Sequence, residues 1–572
     1  MNTLVVNLTR MGDLLQTTPL LKGLKDQDPD GRLDLMVVED FQAVAHGFRM
    51  VDEVIPLDLN NLIPQFEQPD VTVVDLHEKL GKWIESVKLR SYDRLINLSH
   101  TRISASLVRL LDVPDTRGVT LSREGYILIR HPWLNYFFNV TLSRTYNPVN
   151  LVDMYLGAGD ITHSPGKLFY NVTDESKSFA DAFLRNQGSL ASKPLFGIQP
   201  GAMQENRRWP TSNWAALSDL IWENLGGITI LFGAEPDIDI GTEIEHQAQY
   251  PVINAIGKTT IPQLAGLLTH CQVLLTNDTG TMHLAAAAGT PIVAVFLAAA
   301  RADDTSPYGI GHLILEANID CAPCSYQTVC PNPVCHQMII PEVVLEAVQK
   351  HPQRNGGAIP TFPNHRACEN VRISMTDVDP WGCSLLRPCI PRPLSRKQVL
   401  SAAYRFLWRM ELCSDHQSHD ISDYHQLLDT IFQSVEPPPD PMTFEDDCRS
   451  LDKLLNLASL GVQRADIMAK MAVNSRPDLN LLQNITAQFV VIDNDIYDWE
   501  LMHPDLAPLA IHFRIEKGNI ENDDLQSLAR KAGFLYGDLK RRAERFQSLL
   551  RETEIYIQDK HSINKKHLVG IL

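Results

Sequence analysis

A short apolar run, Val273-Leu274-Leu275, leads through Thr276-Asn277-Asp278-Thr279-Gly280-Thr281-Met282-His283 into Leu284-Ala285-Ala286-Ala287-Ala288. A strand that ends in a small, glycine-bearing turn and passes into a helix is the building step of an open parallel sheet. The turn exposes backbone N–H groups at the positive end of the helix dipole, where an anion is stabilised. Asp278 and His283 add a carboxylate and an imidazole, more chemistry than capping a helix requires.

The same alternation recurs over the first 350 residues. Leu4–Leu8 precedes a helix-like run from about Leu14 to Lys25, Leu33–Val38 and Val71–Asp75 read as strands, and Arg94–Leu98 precedes the amphipathic Ile103–Leu111. After the turn-rich Ser164-Pro165-Gly166, strands are expected at Leu195–Gln199, Ile228–Phe232, Val252–Ile256, Val273–Thr276 and Ile292–Phe296. The expectation is two doubly wound α/β lobes, 1–165 and 166–350, with a cleft outside the carboxyl ends of their strands. Residues 351–395 carry seven prolines between Pro352 and Pro393 and read as a linker or extended wrap. Arg396–Leu412, Thr443–Leu460, Val462–Val473 and Asp523–Ile557 look helical, with Pro437-Pro438-Pro439-Asp440-Pro441 ahead of the second. Residues 396–572 are thus expected to be a helical docking or oligomerisation domain, able to support a homo-oligomer.

A formal charge of −18 argues against broad binding to nucleic acid or anionic lipid. No stretch approaches 18 apolar residues, so no membrane span is expected. Met1–Leu8 reads as a first strand rather than a signal peptide. A cytoplasmic protein is expected, with room for peripheral contact at the inner face of the inner membrane.

Two further constellations sit on strand-to-helix loops. Arg10-Met11-Gly12-Asp13 follows strand one, with Thr17-Thr18-Pro19-Leu20 downstream. A carboxylate there faces the cleft and can take a proton from an attacking hydroxyl; taken alone, a Gly-Asp pair is more often a helix cap. Gln199-Pro200-Gly201-Ala202 leads to Asn206-Arg207-Arg208-Trp209-Pro210, where two planar guanidiniums suit a diphosphate. A solvated basic loop is the plainer reading of Arg-Arg alone.

Together these motifs, with Phe232-Gly233-Ala234-Glu235-Pro236-Asp237 between them, resemble glycosyltransferase family 9, which includes the lipopolysaccharide heptosyltransferases. The similarity spans about residues 1–350. The resemblance implies the GT-B fold of two Rossmann-like lobes, here followed by a mainly α-helical C-terminal domain. It implies inverting sugar transfer from a nucleotide diphosphate, ADP-heptose first among donors, to a lipopolysaccharide or other cell-envelope acceptor, with no cofactor for catalysis. In that family's terms Asp13 is the general base. Arg207, standing where the family commonly has Lys, contacts the diphosphate beside Arg208. Thr279 and Gly280 offer N–H groups, Asp278 and His283 lie near sugar or phosphate, Glu235 approaches the ribose, and the Gly257-Lys258-Thr259 segment approaches the base. Leu297–Asp304 departs from the family pattern ahead of Pro307-Tyr308-Gly309. A protein heptosyltransferase, a sugar-nucleotide epimerase on the same fold and a silent nucleotide-sugar-binding scaffold are the alternatives.

Cys321, Cys324, Cys330 and Cys335 form C-x2-C-x5-C-x4-C, a spacing that can close a four-thiolate structural site for zinc or iron. Free thiols in a packed loop are the alternative; some relatives that put heptose on autotransporters hold iron in a comparable cluster. Asp377-Val378-Asp379 lies in the proline-rich stretch and is not read as a metal motif. Nor are His416, His419 and His425 with Asp415 and Asp420. His100, Arg102 and Arg130 are placed where they could face an anionic acceptor, with solvated surface charge as the plainer reading.

Overall fold

The computed structural model describes residues 1–58, 72–325, 328–354, 356–362, 366–413, 420–432, 442–473, 478–521 and 524–569. Residues 437–441, Asp415, His416, His419 and Val71, discussed above, lie outside them. The chain divides into two compact units: residues 1–99, 110–116 and 149–391 in the first, and 100–109, 117–148 and 392–572 in the second.

The first unit holds both lobes. β1 (Thr3–Val6), β2 (Leu33–Val38), β3 (Glu53–Leu57) and β4 (Arg94–Asn97) are parallel and ordered β3-β2-β1-β4. β1 and the first five residues of β2 are buried, as unbroken apolar runs in parallel sheets require. α1 (Met11–Gln27) follows β1. Pro19 inside α1 cannot donate to the Leu15 carbonyl four residues back; the Thr18 hydroxyl donates to it instead, at 2.7 Å. Where a strand was expected at Val71–Asp75, the described part, Thr72–Asp75, begins a helix: Thr72 and Asp75 form a reciprocal capping box that starts α2 (Val73–Lys88).

β5 (Asp115–Leu121) and β6 (Ile127–Arg130) pair antiparallel, Val119 opposite Ile129. α3 (Leu151–Ala158) packs on α1. The second sheet comprises β7 (Leu195–Gln199), β8 (Ile228–Leu231), β9 (Ile253–Asn254), β10 (Val273–Asn277), β11 (Ile292–Phe296), β12 (Leu313–Ala317), β13 (Val371–Val378) and β14 (Ser384–Pro388). Its order is β14-β13-β12-β11-β10-β7-β8-β9. Strands from β9 to β12 run parallel, and β13 and β14 are antiparallel additions. The stretch 351–395 is therefore not simply a linker. Alternating Val371, Ile373 and Met375 bury one face of a hairpin against the sheet, and Pro388 ends the edge strand, where a missing N–H is tolerated. Asp377 of that hairpin is paired with Arg387 at 2.7 Å. α4 (Thr211–Leu225) and α5 (Gly280–Ala288) flank the second sheet, α4 closing on Gly226 and α5 on Gly289, both left-handed.

The second unit is mainly helical: Arg396–Leu412, Ile421–Phe432, Glu445–Ala472, Leu479–Met502, Ala507–Gly518 and Leu525–Val569. Glu445–Ala472 is one helix where two were expected. It packs along Leu525–Val569, and Gly461 leaves the room that the Tyr536 ring occupies. Glu411, almost wholly buried, is held by Arg541 at 2.8 Å and Arg542 at 3.1 Å, so its charge is paired. His425, set aside above as a metal ligand, lies 3.8 Å from Glu552, and Arg130 is paired with Glu521. No described helix is long and apolar enough to cross a membrane.

Candidate functional site

Strand order decides which loops can meet. The first lobe reverses direction about β1 and the second about β7 and β10, so the loops after β1, β7 and β10 stand at the switch points, where doubly wound sheets bind ligands. The three motifs occupy those three loops.

The loops after β7 and β10 are joined by Asn277, the fully buried last residue of β10. Its amide nitrogen donates to the carbonyls of Pro200 at 2.7 Å and Gly201 at 3.3 Å, and its oxygen accepts from the Trp209 N–H at 3.1 Å. Trp209 is itself buried, edge-on to Trp214 with ring centroids 4.7 Å apart, and its indole N–H donates to the Ile339 carbonyl at 2.9 Å. This anchor sets Arg207, whose guanidinium pairs with the Asp278 carboxylate and donates to the Asp278 carbonyl at 3.2 Å. Arg208 turns to the Ala202 carbonyl at 2.8 Å. Thr279 is the N-cap of α5, its hydroxyl accepting from the Met282 N–H at 3.4 Å, and Thr281 donates to buried Gln199 at 3.1 Å.

Gly12 and Gly280 bring the lobes together. A Cβ built on Gly12 would sit 3.5 Å from the Gly280 Cα and 3.2 Å from the His283 Cδ2; one built on Gly280 would sit 3.4 Å from the Gly12 nitrogen. Asp13, next in the chain, thus lies beside the Asp278-Thr279-Gly280 turn. It is not the N-cap of α1, a position held by Arg10, but falls in the first turn, where the helix dipole favours an ionised carboxylate. Its neighbour Tyr155, on α3, is fully buried; burial, and secondarily the Asp13 charge, raises that phenol well above its usual value and keeps it protonated. His283 is 3% exposed, its pKa pushed down to about 3 by burial, and its Nδ1 has no hydrogen-bond partner among the described residues. It is a neutral hydrogen-bonding group rather than a cation.

Glu235 follows the next strand, β8, beside Gly257 of the Gly257-Lys258-Thr259 segment. Glu235 opens a short 3-10 turn after β8, is exposed, and its Cα is 3.8 Å from the Cβ position of Gly257. Asp237 of that turn fills the space beside Gly201 and Gly233, so neither glycine could carry a side chain without displacing it. Asn277, Trp209 and Asp237 stand within the sequence motifs, but the sequence gives them no role of their own, because their roles depend on which strands are neighbours.

Among the described residues no group of three or more His, Cys, Asp or Glu is arranged to hold a metal. Cys321, Cys324, Cys330 and Cys335 are free thiols, the first and third exposed. Burial, then the charges of the other cysteines, raises Cys324 and Cys335, so the four share one neighbourhood. Their donor chemistry suits a soft metal, but in this arrangement they form no ligand set. The segment is tied to the site: the Cys324 N–H donates to the Ala298 carbonyl at 2.8 Å, and His336 Nε2 is 2.7 Å from the Asn206 carbonyl.

The family model for glycosyltransferase family 9 (heptosyltransferase) matches residues 80–334. Over those residues the chain is similar to glycosyltransferase family 9, and the comparisons support a heptosyltransferase-like protein. Lipopolysaccharide heptosyltransferase 2 of Escherichia coli K12 is 26% identical over 318 residues, covering 52% of this chain and 82% of that one. Lipopolysaccharide heptosyltransferase 3 of Escherichia coli is 25% identical over 308 residues, covering 50% and 80%. A solved family 9 glycosyl transferase from Veillonella parvula aligns with a TM-score of 0.48 at 22% identity, over 61% of this chain and 96% of that one. The comparisons indicate a glycosyltransferase, and the fold supplies two mostly parallel sheets with flanking helices and a mainly helical C-terminal region.

Proposed function

We propose that this glycosyltransferase transfers a heptose-like sugar, with inversion, from a nucleotide diphosphate donor of the ADP-heptose class to a lipopolysaccharide or related cell-envelope acceptor at the cytoplasmic face. The single observation that carries the reading is the approach of Gly12 to Gly280, with Asp13 next in the chain after Gly12. The names of the relatives support the sugar and acceptor class.

In this reading Asp13 accepts the proton of the acceptor hydroxyl as its oxygen attacks the anomeric carbon. The carbon–oxygen bond to the diphosphate breaks on the opposite face, which inverts the centre. Negative charge grows on the departing diphosphate, where the N–H groups at Thr279 and Gly280 and the guanidiniums of Arg207 and Arg208 stabilise it more than in the ground state. Arg207 exchanges part of its bond to Asp278 for phosphate. Neutral His283 contributes a hydrogen bond through its free Nδ1. Glu235 and Thr259 face ribose and base. The four-cysteine segment is a structural metal candidate, and elemental analysis of the purified protein reads it directly; the helical unit is a docking or oligomerisation module.

Incubation with a panel of nucleotide sugars and envelope glycans, followed by mass spectrometry, tests the reaction. The expected result is an acceptor heavier by one heptose with matching release of ADP. Donor turnover without acceptor would move the assignment to epimerase chemistry, and binding without any product would leave only a scaffold.

A further inference from the structure

A cavity of about 590 Å³ opens in the first unit at the far ends of α1 and α5, away from the cleft at their starts. Lys22 is nine residues beyond Asp13, so the cavity lies roughly 14 Å along the helix from the proposed base. Four cations, Lys22, Lys25, Arg49 and Lys167, line it against one carboxylate, Asp26. In a chain of net charge −18 that balance is inverted locally.

Two of the cations have ordinary explanations. Lys22 pairs with Asp26, and Lys25 pairs with Asp52 at 2.8 Å while sitting in the last turn of α1. Arg49 and Lys167 have none: both are exposed, and neither makes an ion pair among the described residues. Lys167 lies 5.6 Å from the centroid of the Phe169 ring. Phe169, Tyr170 and the alanines at the end of α5 supply an apolar wall.

The wall is built rather than loose. The Phe169 N–H donates to the Thr18 hydroxyl at 3.0 Å, and the Asn171 N–H donates to the Gly47 carbonyl at 2.9 Å. Gly47 leaves the space that the Tyr170 ring fills, and Tyr170 meets Phe48 edge-on at 6.4 Å. The volume falls within the usual range for small-molecule sites, about 300–1,000 Å³. We propose that this cavity is a second anion site, taking a small phosphorylated molecule with an apolar or aromatic group, separate from the donor cleft. Arg49 and Lys167 hold the phosphate while the aromatic and alanine wall receives the rest. Because α1 and α5 also carry Asp13 and the Asp278-Thr279-Gly280 turn at their starts, occupancy here bears on the same two helices that meet at the cleft.

Calorimetric titration of the full chain with inorganic pyrophosphate tests this. The expected result is two classes of site in the wild type. The double variant Arg49→Ala/Lys167→Ala should lose one class, with affinity there falling about tenfold or more as two charge-assisted contacts disappear. Its thermal unfolding and basal transfer should be unchanged, since neither residue touches the cleft. Arg207→Ala should weaken the other class. Loss in the double variant without loss in Arg207→Ala would support the cavity while sinking the donor assignment. Pyrophosphate binding identical in the wild type and the double variant would overturn the proposal, as would a single class abolished by Arg207→Ala.

Discussion

Asn277→Asp tests whether the donor-side loops are held as described. The native amide donates to two carbonyls, Pro200 at 2.7 Å and Gly201 at 3.3 Å, and accepts from the Trp209 N–H at 3.1 Å, in a fully buried position. Aspartate keeps the shape and the acceptor for Trp209 but puts an oxygen where the NH2 was. Ionised, it faces two carbonyls without water; protonated, it donates once, to Pro200. A buried polar group left without a partner costs about 1–3 kcal/mol, so one lost and one weakened bond amount to about 2–4 kcal/mol near pH 8. Burial favours the protonated acid, so the new carboxyl has a higher pKa folded than unfolded. Stability relative to the wild type is then greatest at low pH and falls as pH rises through the folded value. Urea denaturation of both proteins near pH 5 and pH 8 measures the gap, and hydrogen exchange over residues 199–210 locates it. A gap below about 0.5 kcal/mol at both pH values, the scale of an ordinary surface change, would refute the bracing role.

Asp13→Asn should lower kcat by about 10²–10⁴, the usual worth of a general base, with donor affinity within about threefold of wild type; titration calorimetry and initial rates separate the two. Arg207→Ala should raise the donor KM and lower kcat together, because it acts on a diphosphate that gains charge in the transition state; unchanged donor kinetics would exclude the contact. His283 has a folded pKa of about 3 against an ordinary 6.5, so the unfolded chain binds the extra proton between those values and stability is lost as pH falls through that window. His283→Gln should flatten this part of the stability profile, by up to about 1.4 kcal/mol per pH unit, with buried His312 retaining its own share.

The motif loops were legible because fully buried parallel strands are short apolar runs that end abruptly in Gly, Asp or Asn. β1, β7, β10 and β11 fall where those runs lie, to within two residues at either end. The apolar composition around Val73 suggests a strand, but the Thr72–Asp75 cap starts a helix there. The hairpin of β13 and β14 is hidden by its prolines: Pro380 sits in the turn, and Pro388 at the last pair of the edge strand, opposite Ser374. Asp13 was visible as a carboxylate on a strand-to-helix loop. Asn277 was not distinguishable from any other residue at a strand end, because its partners are 68–77 residues away and become neighbours only when β10 lies next to β7. The same holds for residues 100–109 and 117–148, which group with the C-terminal helices across hundreds of residues of sequence.

Gly12 meets Gly280 main chain to main chain, with two side chains flanking the contact: Met11 fills the space beside Gly280, and His283 that beside Gly12. A joint of that kind pivots only if Met11 and His283 give way with it, so those two side chains belong to the bearing. It also means that enlarging either glycine does more than crowd a neighbour: it shifts the axis about which donor and acceptor are presented to each other.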